Sequence, residues 1–166
     1  MENSQNQPKI SVTLIKKPPR KLLIRRGVKA EEYFDYCAEV GCDVWERLYA
    51  MIPEPDGEPI CLWLPKAYVK KGTSVYVQGV EFAESAEITV PENFDEIRLP
   101  AALYLMFRGE PFPDKEYAAA IGQVKAFMEQ YDPAAFGYMW DDDSPRIQLE
   151  PRGERGYIEL RAVRKV

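Results

Sequence analysis

The sequence predicts an α+β domain of two similar β-α-β-β units, related by a pseudo-two-fold axis, with antiparallel sheets, two helices and a central pocket. Three observations predict this fold. The same order of strands and helix occurs twice, each unit contains one amphipathic helix, and a similar apolar strand precedes each helix. The 166 residues suit a single domain, and 46% of them are hydrophobic, which is enough for a core.

The first unit begins with an extended segment, residues 10–24, in which apolar and polar residues alternate as in a half-buried strand. Two short apolar segments, 60–64 and 75–82, predict the last two strands of the unit. Between them the pattern predicts one helix that ends at Pro53. Its apolar positions recur at intervals of three and four residues: Tyr33, Cys37, Val40, Val44, Leu48 and Ile52.

The second unit repeats this order. Residues 94–107 are extended, and the strands at 146–150 and 157–163 close the unit. We interpret the stretch that contains Tyr138 and Trp140 as irregular. The helix of this unit presents one apolar face, formed by Tyr117, Ile121, Val124, either Phe127 or Met128, and Tyr131.

The two units also share short segments. Residues 22–27 (LLIRRG) are similar to residues 105–109 (LMFRG), and both end in Arg-Gly just before a helix. We therefore expect a duplicated domain at 10–166, with halves at about 10–85 and 86–166 and a pocket at their seam. The polar residues 1–9 predict a disordered tail.

Composition excludes several kinds of chemistry. The sequence contains no histidine, so it cannot form a Ser-His-Asp triad, a Cys-His dyad or a His-ligated metal site. It also lacks the glycine-rich motifs that bind nucleotide phosphates. The three cysteines lack Cys-x-x-Cys spacing, and we expect them to be free thiols. The sequence therefore predicts neither a metal nor a cofactor.

The net charge and the hydropathy pattern indicate which classes of partner the protein is expected to bind. The formal net charge of −5 argues against direct nucleic-acid binding, which requires clustered basic residues. No apolar run reaches the ~18 residues that a membrane span requires. The polar N-terminus has no export signal, so we expect a cytoplasmic protein without a membrane partner. A protein partner is possible, but no feature of the sequence indicates one.

Three segments carry a resemblance to a known family: residues 44–49 (VWERLY), 97–104 (IRLPAALY), and 146–160, which contain RIQLE and GYIEL. In order and spacing they resemble the GyrI-like, or bacterial multidrug-effector-binding, domain. That family includes the effector-binding domains of AraC- and MerR-type regulators, a DNA gyrase inhibitory protein and free-standing domains. The resemblance extends from Ile10 to Val166.

The resemblance implies a pocket between the two halves for a small lipophilic organic molecule. In the family a buried glutamate of a Phe-Glu-x-Tyr strand meets the ligand's positive charge, and aromatic rings enclose the ligand. Here Ile147 takes the phenylalanine position, Gln148 the glutamate position and Glu150 the tyrosine position. Because strand side chains alternate, Glu150 shares the face of Gln148, about 7 Å further along the strand. Glu150 is then a pocket carboxylate or, alternatively, a surface carboxylate near the strand end that pairs with Arg152 or Arg146.

Aromatic residues are the other candidates for ligand contacts, because their flat faces suit stacking and cation–π attraction. Tyr138 and Trp140 are favoured among them, since an irregular stretch gives less packing reason for large rings. The predicted ligand-binding residues are Glu150, Gln148, Trp45, Tyr49, Trp63, Tyr104, Phe107, Tyr138, Trp140 and Tyr157.

Three functions follow from these residues. The first is binding of a small lipophilic aromatic compound, with a cationic compound as one option, in a pocket between the two halves, for sensing or sequestration. The second, implied by the resemblance, is hydrolysis of cyclopropane-containing or other reactive molecules, in which Glu150, Tyr104 and Tyr157 act catalytically. The third is a protein-interaction module similar to a gyrase inhibitor.

Overall fold

The computed structural model describes residues 9–54 and 57–166 and confirms the α+β class. Residues 1–8 of the predicted tail lie outside the described residues. The strands are β1 (Ser11–Lys17), β2 (Arg20–Arg25), β3 (Ile60–Trp63), β4 (Tyr76–Ala83), β5 (Phe94–Leu99), β6 (Ala102–Arg108), β7 (Tyr138–Trp140), β8 (Arg146–Gln148) and β9 (Ile158–Lys165). The α-helices are α1 (Tyr33–Val40), α2 (Val44–Tyr49) and α3 (Tyr117–Gln130).

All nine strands form one antiparallel sheet. Its order is β1-β6-β9-β8-β3-β4-β2-β5, and β7 pairs with residues 163–165 at the C-terminal end of β9. The three strands β6-β9-β8 correspond to β2-β4-β3 across a pseudo-two-fold axis between β8 and β3. The two sheets expected from the sequence are thus joined, because β3 pairs with β8. The precise division at residues 85 and 86 remains a prediction.

The two halves exchange their outer strands. Strand β1 leads into β2 but pairs with β6, whereas β5 leads into β6 but pairs with β2. Pro18-Pro19 and Pro100 lie in the turns of these two crossings. The buried Arg20 connects them, since its guanidinium donates to the carbonyl of Pro100 at 3.2 Å and pairs with Glu81 at 2.8 Å.

The first predicted helix is two helices, which corrects the expectation of one helix ending at Pro53. Helix α1 ends at Val40 because Gly41 adopts a φ of 92°, a conformation that favours glycine and terminates helices. Helix α2 then begins at Val44 and ends at Tyr49, so Ile52 lies beyond its end. Two residues of the predicted apolar stripe, Val44 and Leu48, are nevertheless buried against β4.

The helix of the second half agrees with its prediction. Helix α3 covers Tyr117–Gln130, and its buried residues Val124 and Met128 lie on the predicted apolar face. They pack against Phe107 of the sheet. Within the described residues, no helix has the length and apolar character required to cross a membrane.

The two halves of the sheet meet at a seam where β3 pairs with β8. Side chains alternate along each of these strands, so successive residues lie on opposite faces of the sheet. Leu62 of β3 and Ile147 of β8 are paired and belong to the main apolar core. Their neighbours in sequence point to the opposite face, where the helices pack. That second face of the seam carries Cys61, Trp63, Arg146 and Gln148.

We predict that Leu62→Ala lowers the free energy of unfolding by about 2–5 kcal/mol, because it leaves a cavity at the seam. Leu62 is fully buried and Ile147 is its cross-strand partner. The control is Leu14→Ala on β1, where the side chain is exposed and we expect a loss below about 1 kcal/mol. Urea unfolding measures both, and equal losses would contradict the role given to the seam.

Candidate functional site

A cleft opens above the β3–β8 seam, between the first turns of α1 and α3. It consists of two adjoining hollows with volumes of about 380 Å³ and 460 Å³. We call them the Trp45 hollow and the Trp63 hollow, after the tryptophan that lines each one. Five residues line both hollows: Tyr33, Phe34, Tyr117, Ile121 and Gln148.

The walls of the cleft are aromatic and unusually exposed. Tyr33, Phe34 and Tyr117 are all exposed, and Phe34 retains 62% of its accessible surface. These three rings lie at the starts of α1 and α3 and are exposed, so the apolar core does not require them. Their exposure around a concavity is typical of a site that buries a partner.

A chain of hydrogen bonds runs beneath the cleft. The hydroxyl of Tyr157 donates to a carboxylate oxygen of Glu159 at 2.8 Å, and it accepts from the amide nitrogen of Gln148 at 2.8 Å. The hydroxyl of Tyr76 donates to the amide oxygen of Gln148 at 2.8 Å. Because a carboxylate only accepts, every donor in this chain has a fixed direction. Gln148 is therefore held in one orientation at the floor of both hollows.

Glu159 is the buried carboxylate of this site, with an exposed fraction of 0%. Two cations neutralise it, since Lys125 Nζ lies 2.7 Å and Arg146 Nη2 lies 3.1 Å from its oxygens. The same two cations lie over the ring of Trp63, at 4.5 Å for Lys125 Nζ and 5.5 Å for Arg146 Cζ. Sequence reasoning did not select Glu159, although a carboxylate between Ile158 and Leu160 of an apolar strand was a usable signal.

Glu150 lies at the rim of the Trp45 hollow, where 40% of its side chain is exposed. Its carboxylate accepts from Arg152 Nε at 3.1 Å and from the hydroxyl of Tyr49 at 3.3 Å. Arg152 also pairs with Glu58 at 3.2 Å. The charge of Glu150 is therefore partly neutralised and solvated. The sequence left a pocket carboxylate and a surface carboxylate paired with Arg152 or Arg146 as alternatives, and Glu150 lies at the rim with Arg152 as its partner.

The structure brings only some of the predicted residues together. Four of the predicted residues line the cleft, namely Trp45, Trp63, Gln148 and Glu150. Tyr157 lies directly beneath the floor, where its hydroxyl accepts from Gln148. Tyr49 lies beside the rim through its contact with Glu150. Phe34 and Tyr117 were not among the candidates, because their positions beside a cleft depend on how the two helices meet.

The other predicted residues lie elsewhere. Tyr104 is fully buried, and its hydroxyl donates to the carbonyl of Pro145 at 2.9 Å. Phe107, Tyr138 and Trp140 belong to the apolar cluster under α3. The expectation of an irregular stretch around Tyr138 and Trp140 was wrong, since both lie on β7, which pairs with β9.

Burial keeps two tyrosine hydroxyls and one thiol beneath the cleft protonated. It raises the pKa of Tyr157, and the adjacent charge of Glu159 raises it further. Burial also raises the pKa of Tyr76, and it raises that of the Cys61 thiol to about 12. At neutral pH these groups are therefore uncharged donors. Cys61 is not an activated nucleophile, because that role requires the thiolate.

Comparisons with solved structures show where the fold occurs. The C-terminal domain of EcmrR aligns with a TM-score of 0.57 and 13% identity, over 95% of this chain and 99% of that domain. EcmrR in its DNA complex gives 0.53 and 15%, over 95% of this chain and 58% of that one. SAV2435 bound to tetraphenylphosphonium gives 0.54 and 16%, over 92% of both chains.

No family model matches the chain, and no curated protein matches its sequence. At identities of 13–16% the solved structures establish the fold. The chain has the fold of a GyrI-like effector-binding domain, and the resemblance found in the sequence is confirmed at that level. The chain spans 58% of the EcmrR chain in the DNA complex. Among the described residues, no cluster of potential ligands could hold a metal ion.

We predict that Glu159→Gln destabilises the protein by on the order of 3 kcal/mol, because it leaves Lys125 and Arg146 without their buried counter-charge. Glu150→Gln is the matched control. Its carboxylate is exposed and paired at the surface, so we expect a loss below about 1 kcal/mol. Chemical denaturation of both variants tests this, and a larger loss from Glu150→Gln would refute it.

We also predict that stability falls as the pH rises above about 10. The unfolded chain releases tyrosine protons near the ordinary pKa of 10.0, whereas native Tyr76 and Tyr157 keep theirs because their pKa is raised. Above that pH the unfolded state therefore binds fewer protons, and alkali favours it. Urea unfolding between about pH 8 and pH 11 measures the slope. A Tyr157→Phe variant should show a shallower fall, and an unchanged slope would speak against this assignment.

Proposed function

We propose that the cleft binds a small lipophilic aromatic compound between the two halves of the domain, for sensing or sequestration. The observation that carries this proposal is the ring of exposed aromatic side chains around a polar floor that is already hydrogen-bonded. The amide of Gln148 lies in the same hollow as the rings of Tyr33, Phe34 and Tyr117. The hydroxyls of two other tyrosines, Tyr76 and Tyr157, hold this amide in place. A flat ligand would stack on these rings and displace water from them.

The size of the cleft supports a ligand of a few fused rings. The Trp45 hollow has a volume of about 380 Å³, near the lower end of the range of small-molecule pockets. Covering the rings would remove apolar surface from water, which is the main favourable term in binding such a compound. The amide of Gln148 would then orient the ligand.

The solved relatives support the same function. One is bound to tetraphenylphosphonium, a lipophilic cation, and another is the C-terminal domain of a protein that also occurs in a DNA complex. We extend to this chain the binding of a small effector, a breadth of ligands and a bacterial, cytoplasmic setting. These finer statements are part of the proposal.

The geometry favours binding over the alternative of hydrolysis. Of the three residues expected to catalyse it, Glu150 is paired with Arg152 at the rim, Tyr104 is buried away from the cleft, and Tyr157 is engaged between Gln148 and Glu159. Of these three residues, Glu150 alone lines the cleft. The alternative of a protein-interaction module stays a prediction from the sequence.

A panel of lipophilic compounds tests the proposal. It includes the cations ethidium, rhodamine 6G and tetraphenylphosphonium and the neutral compounds Nile red and N-methylphenanthridinone. We expect at least one member to raise the melting temperature and to change tryptophan emission, because Trp45 and Trp63 line the hollows. A panel without any such effect would refute the proposed function.

We predict that Phe34→Ala weakens the binding of the best ligand about tenfold, since one stacked ring contributes roughly 1 kcal/mol or more. Phe136→Ala is the matched control, because Phe136 is 67% exposed and stacks on Tyr131, away from the cleft. Titration of tryptophan fluorescence gives both dissociation constants. Equal losses in the two variants would place the ligand elsewhere.

A further inference from the structure

The cleft already contains a cation that belongs to the chain. The ammonium group of Lys125 lies 4.5 Å from the centre of the Trp63 ring and 2.7 Å from Glu159. An aromatic face and a carboxylate together are the surroundings that stabilise an organic cation in a protein pocket. Here a helix side chain takes that position.

Arg146 reinforces this arrangement from the sheet. Its guanidinium lies over the same ring at 5.5 Å and pairs with the other oxygen of Glu159 at 3.1 Å. The hydroxyl of Tyr157 donates to the carboxylate as well. Three donors therefore satisfy Glu159.

The exposed fractions of the three charged side chains show which of them face the cleft. The side chain of Glu159 is 0% exposed, whereas those of Lys125 and Arg146 are 35% and 39% exposed. Both cations also line the Trp63 hollow, and Glu159 does not. A ligand in that hollow would meet two positive groups before it could reach the carboxylate.

The Trp63 ring is held in place for this contact. Its indole nitrogen donates to the carbonyl of Glu31 at 2.9 Å. A ligand cation could stack on the ring only by displacing Lys125 from above it. Displacement would leave the buried carboxylate short of a partner, which is costly.

The remaining carboxylates of the Trp63 hollow compensate little. Glu31, Glu32 and Glu129 line it, but all three are exposed. Water and salt screen such charges, so they attract a cation weakly. The floor shared by both hollows is the uncharged amide of Gln148.

We propose that Lys125 and Arg146 occupy the cation position of this cleft, so that the wild-type protein selects neutral aromatic ligands over cationic ones of the same shape. This inference rests on the proposed function and specifies the ligand class of the same site. Lys125 acts as the specificity-determining residue, because it comes from helix α3 and lies closer to the ring than Arg146 does.

A matched pair of probes tests the selection. N-methylphenanthridinone is neutral, and N-methylphenanthridinium has nearly the same shape with a positive charge. We expect the wild-type protein to bind the neutral probe at least about tenfold more tightly, because like charges a few ångströms apart repel in a partly desolvated cleft. Calorimetry gives both dissociation constants.

Substitution of Lys125 tests the residue. Lys125→Met keeps the length of the side chain and removes its charge, and we expect it to strengthen binding of the cationic probe about tenfold or more. Lys125→Arg keeps the charge and should keep the wild-type preference. Lys115→Met, an equal change of charge at an exposed position before α3, should also keep it. Circular dichroism verifies that each variant is folded.

The outcomes separate the two proposals. A wild-type protein that binds the cationic probe as tightly as the neutral one overturns the inference, and so does a folded Lys125→Met variant with unchanged preference. Binding of neither probe, with another member of the panel still bound, overturns it and leaves the proposed function standing. If Lys125→Met does not fold, the comparison of probes on the wild type and on Lys125→Arg still decides.

Discussion

The pairing of β3 with β8 is the contact on which the site depends. It consists of three residue pairs, Cys61 with Gln148, Leu62 with Ile147 and Trp63 with Arg146. Alternation gives this pairing two roles, because the central pair enters the apolar core while the outer pairs face the helices. The same register that joins the two half-sheets therefore sets an indole beside a guanidinium and a thiol beside an amide at the floor of the cleft.

The pseudo-two-fold axis explains why a cleft occurs there. The first α-helix of each half, α1 and α3, begins next to the seam, so the first turns of these two helices line the same cleft. Tyr33 is the first residue of α1, and Tyr117 is the first residue of α3. Two amphipathic helices that pack on neighbouring parts of one sheet leave a groove between them, and the axis places that groove over β3 and β8.

Local patterns in the sequence predicted the elements, and long-range contacts determined the rest. Alternation and helical periodicity gave most strands, α3 and the duplication, because these signals depend on neighbouring residues. They report the face on which a side chain lies and not the strand beside it, so the exchange of β1 and β5 could not be foreseen. Glu159 illustrates the same limit, since Lys125, which neutralises it, is 34 residues away in sequence.

The buried carboxylate links the stability of the fold to the chemistry of the cleft. Through Lys125 it ties helix α3 to the sheet, and through Tyr157 it orients Gln148. The polar groups beneath the cleft are thus engaged with one another before any ligand arrives. In the function proposed above, affinity comes mainly from the exposed rings, which stack with little discrimination. Selectivity then comes from Lys125 and Arg146, the two cations that line the Trp63 hollow, because they repel a further positive charge.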